Sequence, residues 1–540
     1  MAEEIITAEE LAKGMREISI AEFFEKNKHF LGYENPTRSL LTVVKEAIDN
    51  SLDATCDAKI PPEISVTLKE INQHRGPQAE KGVISEERPD RFRVIVKDNG
   101  PGIPEQKVPL AFGKFLYGSK FHRLRQSRGI MGLGISGSVL YSQLTTGKPV
   151  KITTSTGEKI HVFELTIDVA KNEPRIVSHT EHENPEKWHG VEIEMDVEGR
   201  YTEGAQSIPE YIKQTAIANP YAKIVYRSPN GQVTFSRTVK DLPVIPKEIK
   251  PHPYGVELGV LERMLLATKA RNILNFFMTD FSRVGKKSAG QICKFAKIEC
   301  NKNPKNLTAE ESDRLHEAMQ KVKLMAPPTD CLSPLTESLI EAGLRKEIKA
   351  EHFVATLRSP SVYRGFPFQI SVGLAYGGEL PPNETCQLLR FANRIPLIYH
   401  QGDCAITQAV SEVRWSDYGL HQSSGALPIG PLTILVHFAS VWVPFTTEGK
   451  QAIASYPEII KEVKLALQDA GRKLKKYITK RRKEREKFER RQLFERYIPV
   501  VAESLSKLTK KDKKEILTKL EEFLKSKIEV RKLDDSEERT

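Results

Sequence analysis

At 540 residues the chain holds material for about three to four domains of ordinary size, which excludes a single small module. Hydrophobic residues make up 39% and charged residues 28%, a profile that excludes collagenous and wholly disordered chains. The net charge of +11 permits a polyanionic partner without requiring one, and eleven Lys/Arg against three Glu between positions 471 and 490 account for most of it.

The longest weakly polar run, residues 430–445, carries Pro431 and His437 and is rich in β-branched residues, so it reads as a buried strand. The acidic start (MAEEII) lacks the pattern of a secretory signal, and the expectation is a cytoplasmic protein without a membrane anchor. Cys56, Cys293, Cys300, Cys331, Cys386 and Cys404 form no C-x-x-C pair and read as buried thiols rather than a disulfide or zinc framework.

In chain order, residues 18–35 form a short amphipathic lead-in ending at Pro36, and 37–53 read as a strong helix. Short β-rich runs follow at 92–96, 150–154, 160–167 and 190–195, between glycine-rich turns, giving an α+β sandwich. Prolines cluster at 243–253 as a linker. Residues 257–325 are mostly helical, with a capping box at Thr308 and Glu311. Strand patterns return at 368–372 and 432–443, with a helix after Cys404 between them. From Tyr456 helix formers and charge run almost to the end, broken at Gly471 and Pro499.

No G-x-x-x-x-G-K-[ST] phosphate loop is present. Three other segments carry the chemistry. In KEAIDNSLDA (45–54), Glu46, Asn50 and Asp53 fall on one helix face, with Leu41, Val44, Ile48 and Leu52 on the opposite one. A carboxylate there suits a general base, and a neutral amide oxygen one turn on suits Mg2+; a solvated helix face is the plain alternative. In FRVIVKDNGPG (92–102), an alternating strand ends in Asp98, Gly100 and Gly102, where a carboxylate can accept from an exocyclic amine and the glycines admit a flat ligand; a tight turn explains the same letters. In GIMGLG (129–134), Gly129, Gly132 and Gly134 open a helix, freeing backbone N–H groups for phosphate. Between the last two lies a stretch with Lys107, Lys114, Lys120, His122, Arg123, Arg125 and Arg128, which suits a lid over a triphosphate or a basic surface loop.

Together, in this order, these segments resemble the nucleotide boxes of the GHKL ATPase superfamily. That resemblance implies ATP and Mg2+ as cofactors, Glu46 as the hydrolytic base, Asn50 as the Mg2+ ligand, Asp98 as the adenine reader, and Gly100, Gly102, Gly129, Gly132 and Gly134 as close-approach positions, with Ser119, Lys120, Met131 and Leu133 completing the nucleotide site. The superfamily's fourth box often has Gly-Thr; here Gly190 is followed by Val191, and no role is assigned there.

Further segments, FGKFLYGSKFH (112–122), VGKKSAG (284–290), NRIPL (393–397), VPFTTEGKQAIA (443–454), GRKLKKY (471–477) and YIP (497–499), resemble the B-subunit family of topoisomerase VI from about residue 18 to 508. The resemblance implies an α+β multidomain chain: an N-terminal arm (1–35) that crosses to a second protomer, a GHKL (Bergerat) ATPase domain (36–245), a helix-two-turns-helix insert (246–328), a transducer domain (329–470), and a C-terminal stalk helix and tail (471–540). It also implies Lys450 as a cation reaching the γ-phosphate, a DNA-cleaving A subunit as partner, a homodimer closed by ATP within an A2B2 heterotetramer, and double-stranded DNA as substrate. Nothing in the sequence supplies cleavage chemistry: the 15 tyrosines have no nucleophile context and no clustered acidic site is evident. The basic run 472–490 reads as a solvated helix, a DNA-phosphate contact or a platform for the A subunit. The alternatives are a different GHKL ATPase, or a DNA-binding scaffold with a degenerate pocket, against which the intact Glu46 argues.

Overall fold

The computed structural model describes residues 8–13, 15–72, 89–121, 123–129, 131–510 and 512–523. His122, and most of the segment beyond the matched region (512–540), lie outside the described residues. Two compact units result: Met1–Arg414 with His421–Ala470, and Trp415–Leu420 with Gly471–Thr540.

The first unit opens with helices α1 (Ala8–Ala12) and α2 (Ile20–Lys26). Ser19 caps α2, its hydroxyl accepting from the N–H of Glu22, and Phe24 stacks on Phe115 at 5.3 Å, so the lead-in packs on its own chain. Helix α3 (Pro36–Asp57) starts where the sequence is best prepared for it: Asn35 accepts from the Arg38 N–H at 2.9 Å and Pro36 occupies the first turn. Its stripe Leu40, Leu41, Val44, Ile48 and Leu52 is buried. Strands β1 (Glu63–Asn72) and β2 (Asp90–Asp98), helices α4 (Val108–Gly113) and α5 (Gly134–Thr146), strands β3 (Val150–Thr156), β4 (Lys159–Asp168), β5 (Glu173–Glu183) and β6 (His189–Gly199), helix α6 (Ile208–Ala218), and strands β7 (Lys223–Ser228) and β8 (Gly231–Phe235) follow. The eight strands form one sheet in the order β5-β4-β3-β6-β2-β1-β7-β8. Residues of α3, α5, α6 and this sheet share one core, including Ile48, Val94, Val139, Ile152 and Met195.

Helices α7 (Leu258–Ala267), α8 (Ile273–Asp280), α9 (Lys286–Ala296) and α10 (Ala309–Lys321) hold a separate core around Leu261, Phe276, Phe277 and Ile292. Both halves of the Thr308/Glu311 capping box form at the start of α10. Helix α11 (Glu337–Glu347), strands β9 (His352–Leu357), β10 (Ser361–Tyr363), β11 (Phe366–Tyr376), β12 (Gln387–Ala392) and β13 (Ile395–Pro396), helix α12 (Ala405–Glu412) and strand β14 (Leu432–Ser440) build a second sheet, β10-β11-β14-β12-β13, with β9 also on β11. The apolar run that reads as a strand to residue 443 stops at Ser440, where Asn393 accepts the Ser440 N–H at 2.9 Å and the chain turns toward the first sheet.

Helix α13 (Pro457–Thr509) is continuous, which corrects the expected breaks at Gly471 and Pro499. In the second unit a Cβ on Gly471 would meet the Tyr418 ring at 2.9 Å, so this glycine makes room for an aromatic neighbour instead of ending the helix. Pro499 costs one backbone hydrogen bond, and the helix propagates across it. Among the described residues no helix is long and apolar enough to cross a membrane.

Candidate active site

A cavity of about 800 Å³ opens between the first sheet's helical layer and the loop after β14. Its size suits a small organic ligand. Glu46, Asn50, Asp98, Gly102, Ser119, Lys120, Gly129, Met131, Gly132, Leu133, Gly134 and Lys450 all line it; Gly100, among the close-approach glycines, does not, nor does Asp53.

At one end, Asp98 closes strand β2 and is buried. Its Oδ1 accepts from the N–H groups of Gly100 (2.8 Å) and Val191 (3.1 Å), and Oδ2 accepts from the Ser51 hydroxyl (2.8 Å). Burial raises its pKa, outweighing these three donors. Oδ1 is fully engaged, while Oδ2 keeps a lone pair for a donor in the cavity. Gly100 thus acts by orienting the carboxylate. Gly102, at φ +73°, brings the backbone so close to β3 that a Cβ would meet Ser155 O at 1.9 Å. The fourth segment, left without a role by its sequence, does have one here: Val191 contributes a backbone N–H, which any residue but proline supplies, and a Cβ on Gly190 would meet Asp98 O at 2.2 Å.

At the other end the buried Glu46 carboxylate faces the start of α5, where a Cβ on Gly134 would meet Glu46 Oε2 at 1.9 Å. Lys45 Nζ lies 3.4 Å from Oε1 and Lys450 Nζ 4.0 Å from Oε2. Burial works to raise the pKa of Glu46, but the Lys450 and Lys45 ammonium groups outweigh it and hold the carboxylate ionised. Burial likewise works against the charge on Lys450, and Glu46, Asp49 and Asp53 more than restore it. The loop bearing Lys450 is fastened to α3, for Lys45 Nζ donates to Gly449 O at 2.9 Å. A carboxylate on α3 and an ammonium group on the loop after β14 therefore meet at one point.

Asp53, read as facing the cleft, is instead occupied: Lys120 Nζ (2.6 Å) and Arg128 Nη1 (2.8 Å) both donate to it, and their charges hold its pKa well below the carboxylate range against the effect of burial. Arg125 pairs with Asp57 at 2.8 Å. Three cations of the basic stretch are thus drawn to acids on α3, a pairing that spacing does not reveal. Arg128 Nη2 also donates to Asn219 Oδ1 at 2.6 Å. Asn393 of the NRIPL segment donates to Ser127 O (3.0 Å) and to Ser440 O (2.9 Å), linking the glycine-rich loop to the second sheet.

The family model "Histidine kinase-, DNA gyrase B-, and HSP90-like ATPase" matches residues 35–171, and "Topoisomerase VI B subunit, transducer" matches residues 327–490. Among curated proteins, the B subunit of type 2 DNA topoisomerase 6 from Archaeoglobus fulgidus is 43% identical over 93% of this chain and 81% of its own length. The protein of the same name from Methanococcoides burtonii is 44% identical over 94% and 79%. That from Pyrococcus horikoshii is 38% identical over 98% of each chain.

Proposed function

The chain belongs to the family of type 2 DNA topoisomerase 6 B subunits, as the ATP-hydrolysing subunit of a type II DNA topoisomerase, and on that premise we propose the part each residue plays. The observation that carries the proposal is the meeting of Glu46, Gly134 and Lys450 at one end of a cavity whose other end is Asp98.

Asp98 Oδ2 accepts the exocyclic amine of adenine, with Ser51 and the Val191 N–H holding the carboxylate in place. The N–H groups around Gly129, Gly132 and Gly134 face the phosphates, with the α5 dipole behind them. Glu46 accepts the proton of the attacking water. Lys450 donates to the terminal phosphate, so that release of that group alters the contact between the Lys450 loop and α3. The side chain of Asn50, one turn beyond Glu46 on α3 and lining the cavity, offers a hard oxygen donor of the kind Mg2+ prefers, so this residue fits the ion. Mg2+ held by Asn50 would supply charge neutralisation on the phosphate oxygens.

The same reading divides the chain into an arm (1–35), an ATPase domain (36–245), a helical insert (246–328), a transducer (329–470) and a stalk (471–540). The separate core of α7–α10 and the second sheet support that partition. The partner is a DNA-cleaving A subunit, and the working assembly is an A2B2 heterotetramer whose two ATPase subunits close on each other with ATP, in the cytoplasm. On α13 the exposed Leu493, Phe494, Tyr497, Val500 and Val501 recur at helical spacing and support a docking role for the stalk. The decisive assay joins this chain to an A subunit and supercoiled DNA. ATP-dependent relaxation that ADP does not support is expected; relaxation indifferent to nucleotide overturns the gating role.

A further inference from the structure

At the outer edge of the first sheet, away from the nucleotide cavity, three elements bring nitrogen and oxygen donors together. His161 on β4 and His179 on β5 project from the same face: their strands pair as His161 with Glu181 and Phe163 with His179. Glu105 comes from the short 3-10 turn Glu105–Lys107 that precedes α4. One donor atom from each of Glu105, His161 and His179 lies within 4.8 Å of the others. His161 Nδ1 and His179 Nε2 are 3.4 Å apart. Two donors at about 2.0–2.1 Å on a tetrahedral zinc stand about 3.3–3.4 Å apart, so the two imidazoles are already at bonding separation for one ion.

From this geometry we infer a transition-metal site, suited to Zn2+, formed by His161, His179 and Glu105. Two neutral imidazoles and one carboxylate are a borderline nitrogen and oxygen set, which selects Zn2+, Co2+ or Ni2+ over Mg2+. The His179 ring is positioned without the ion, since it stacks on Phe163 at 4.1 Å and Phe163 is part of the core. Glu105 is exposed and its Oε1 stands 3.8 Å from His179 Nδ1, the nitrogen that does not face His161, so joining the other two donors requires rotation about its own side chain. The fourth position goes to water or to Glu181, whose Oε2 lies 3.9 Å from His161 Nδ1 while the same carboxylate pairs with Lys159. Glu105 stands three residues after Gly102, so an ion here ties the loop leaving the adenine end of the cavity to the sheet edge.

The test titrates the full chain with Co2+ in saturating Mg2+, following the visible absorption of the bound ion, with Zn2+ as competitor. One equivalent is expected to bind, without thiolate charge-transfer bands, and to raise the melting temperature. His161→Ala and His179→Ala are each expected to weaken binding by about a hundredfold. Glu105→Gln, which leaves the strands and the ring stack untouched, is expected to weaken it about tenfold. Binding unchanged in the histidine variants, thiolate bands that point to Cys293 and Cys300, or no binding above the buffer level would each overturn the site.

Discussion

Lys450 Nζ lies 4.0 Å from Glu46 Oε2, with both side chains largely buried although 404 positions separate them in sequence. The distance is loose for an ion pair, so the ammonium group keeps donors free for a phosphate oxygen that approaches from the cavity. Lys450→Ala is therefore expected to slow ATP turnover by about ten- to a hundredfold while changing nucleotide affinity by less than about threefold. Steady-state hydrolysis beside equilibrium binding of a non-hydrolysable analogue checks this; unchanged turnover would remove the phosphate-sensing role.

Gly134 opens a helix, and by intrinsic propensity alanine there should stabilise by up to about 1 kcal/mol. The space says otherwise, since the added Cβ would stand 1.9 Å from Glu46 Oε2. Gly134→Ala is expected to displace the carboxylate and cut the single-turnover hydrolysis rate by at least about tenfold. A variant that hydrolyses at the parent rate would show that Glu46 can work from another rotamer.

Ser51 donates to Asp98 Oδ2 at 2.8 Å from within a buried site. Removing it leaves a buried carboxylate with one donor fewer, worth about 1.5 kcal/mol for a bond to a charged group. Calorimetric titration of Ser51→Ala is expected to give about tenfold weaker ATP binding, and Asp98→Ala a larger loss. Equal affinity in the serine variant would mean that Oδ2 is not the oxygen that reads the base.

Asp49 is a buried carboxylate whose pKa burial pushes up to about 6, against the pull of Lys450 and Lys45. Tyr211 donates to its Oδ1 at 3.0 Å, and Oδ2 has no partner in the described structure. Because the folded value lies above the unfolded one, this group's stabilising contribution is complete below about pH 4 and is lost as pH rises through about 6. Asp49→Asn does not titrate, so its melting temperature minus that of the parent should rise by a few degrees between pH 4 and pH 7. A flat difference would contradict the assignment.

The parts of the site that the sequence discloses are those written locally. Glu46 and Asn50 share a helix face by spacing alone, and Asp98 stands at a strand end beside its glycines. Side chains and N–H groups recruited over distance are not readable there: Val191 converges on Asp98 through the pairing of β6 with β2, Ser51 does so through the packing of α3 on the sheet, and Lys120, Arg125 and Arg128 turn to α3 acids. Strand β5 leaves no signal because it is polar on both faces at a sheet edge, so burial imposes no alternation. Strand β1 does alternate, so its letters carry a strand signal that the reading in chain order passes over. Gly471 misleads because a local breaker says nothing of Tyr418, whose ring fills the space a side chain at 471 would take, and Pro499 misleads because the loss of one backbone hydrogen bond does not stop a long helix.

On the proposed reading Glu46 is the base of an ATP-hydrolysing site that binds its nucleotide through other groups. Glu46→Gln keeps the shape and the contact with α5 while removing the proton acceptor. Single-turnover hydrolysis in this variant, measured beside ATP affinity, should fall by about a hundredfold or more with affinity held within about threefold. Hydrolysis at the parent rate, with ATP still bound, would contradict the account.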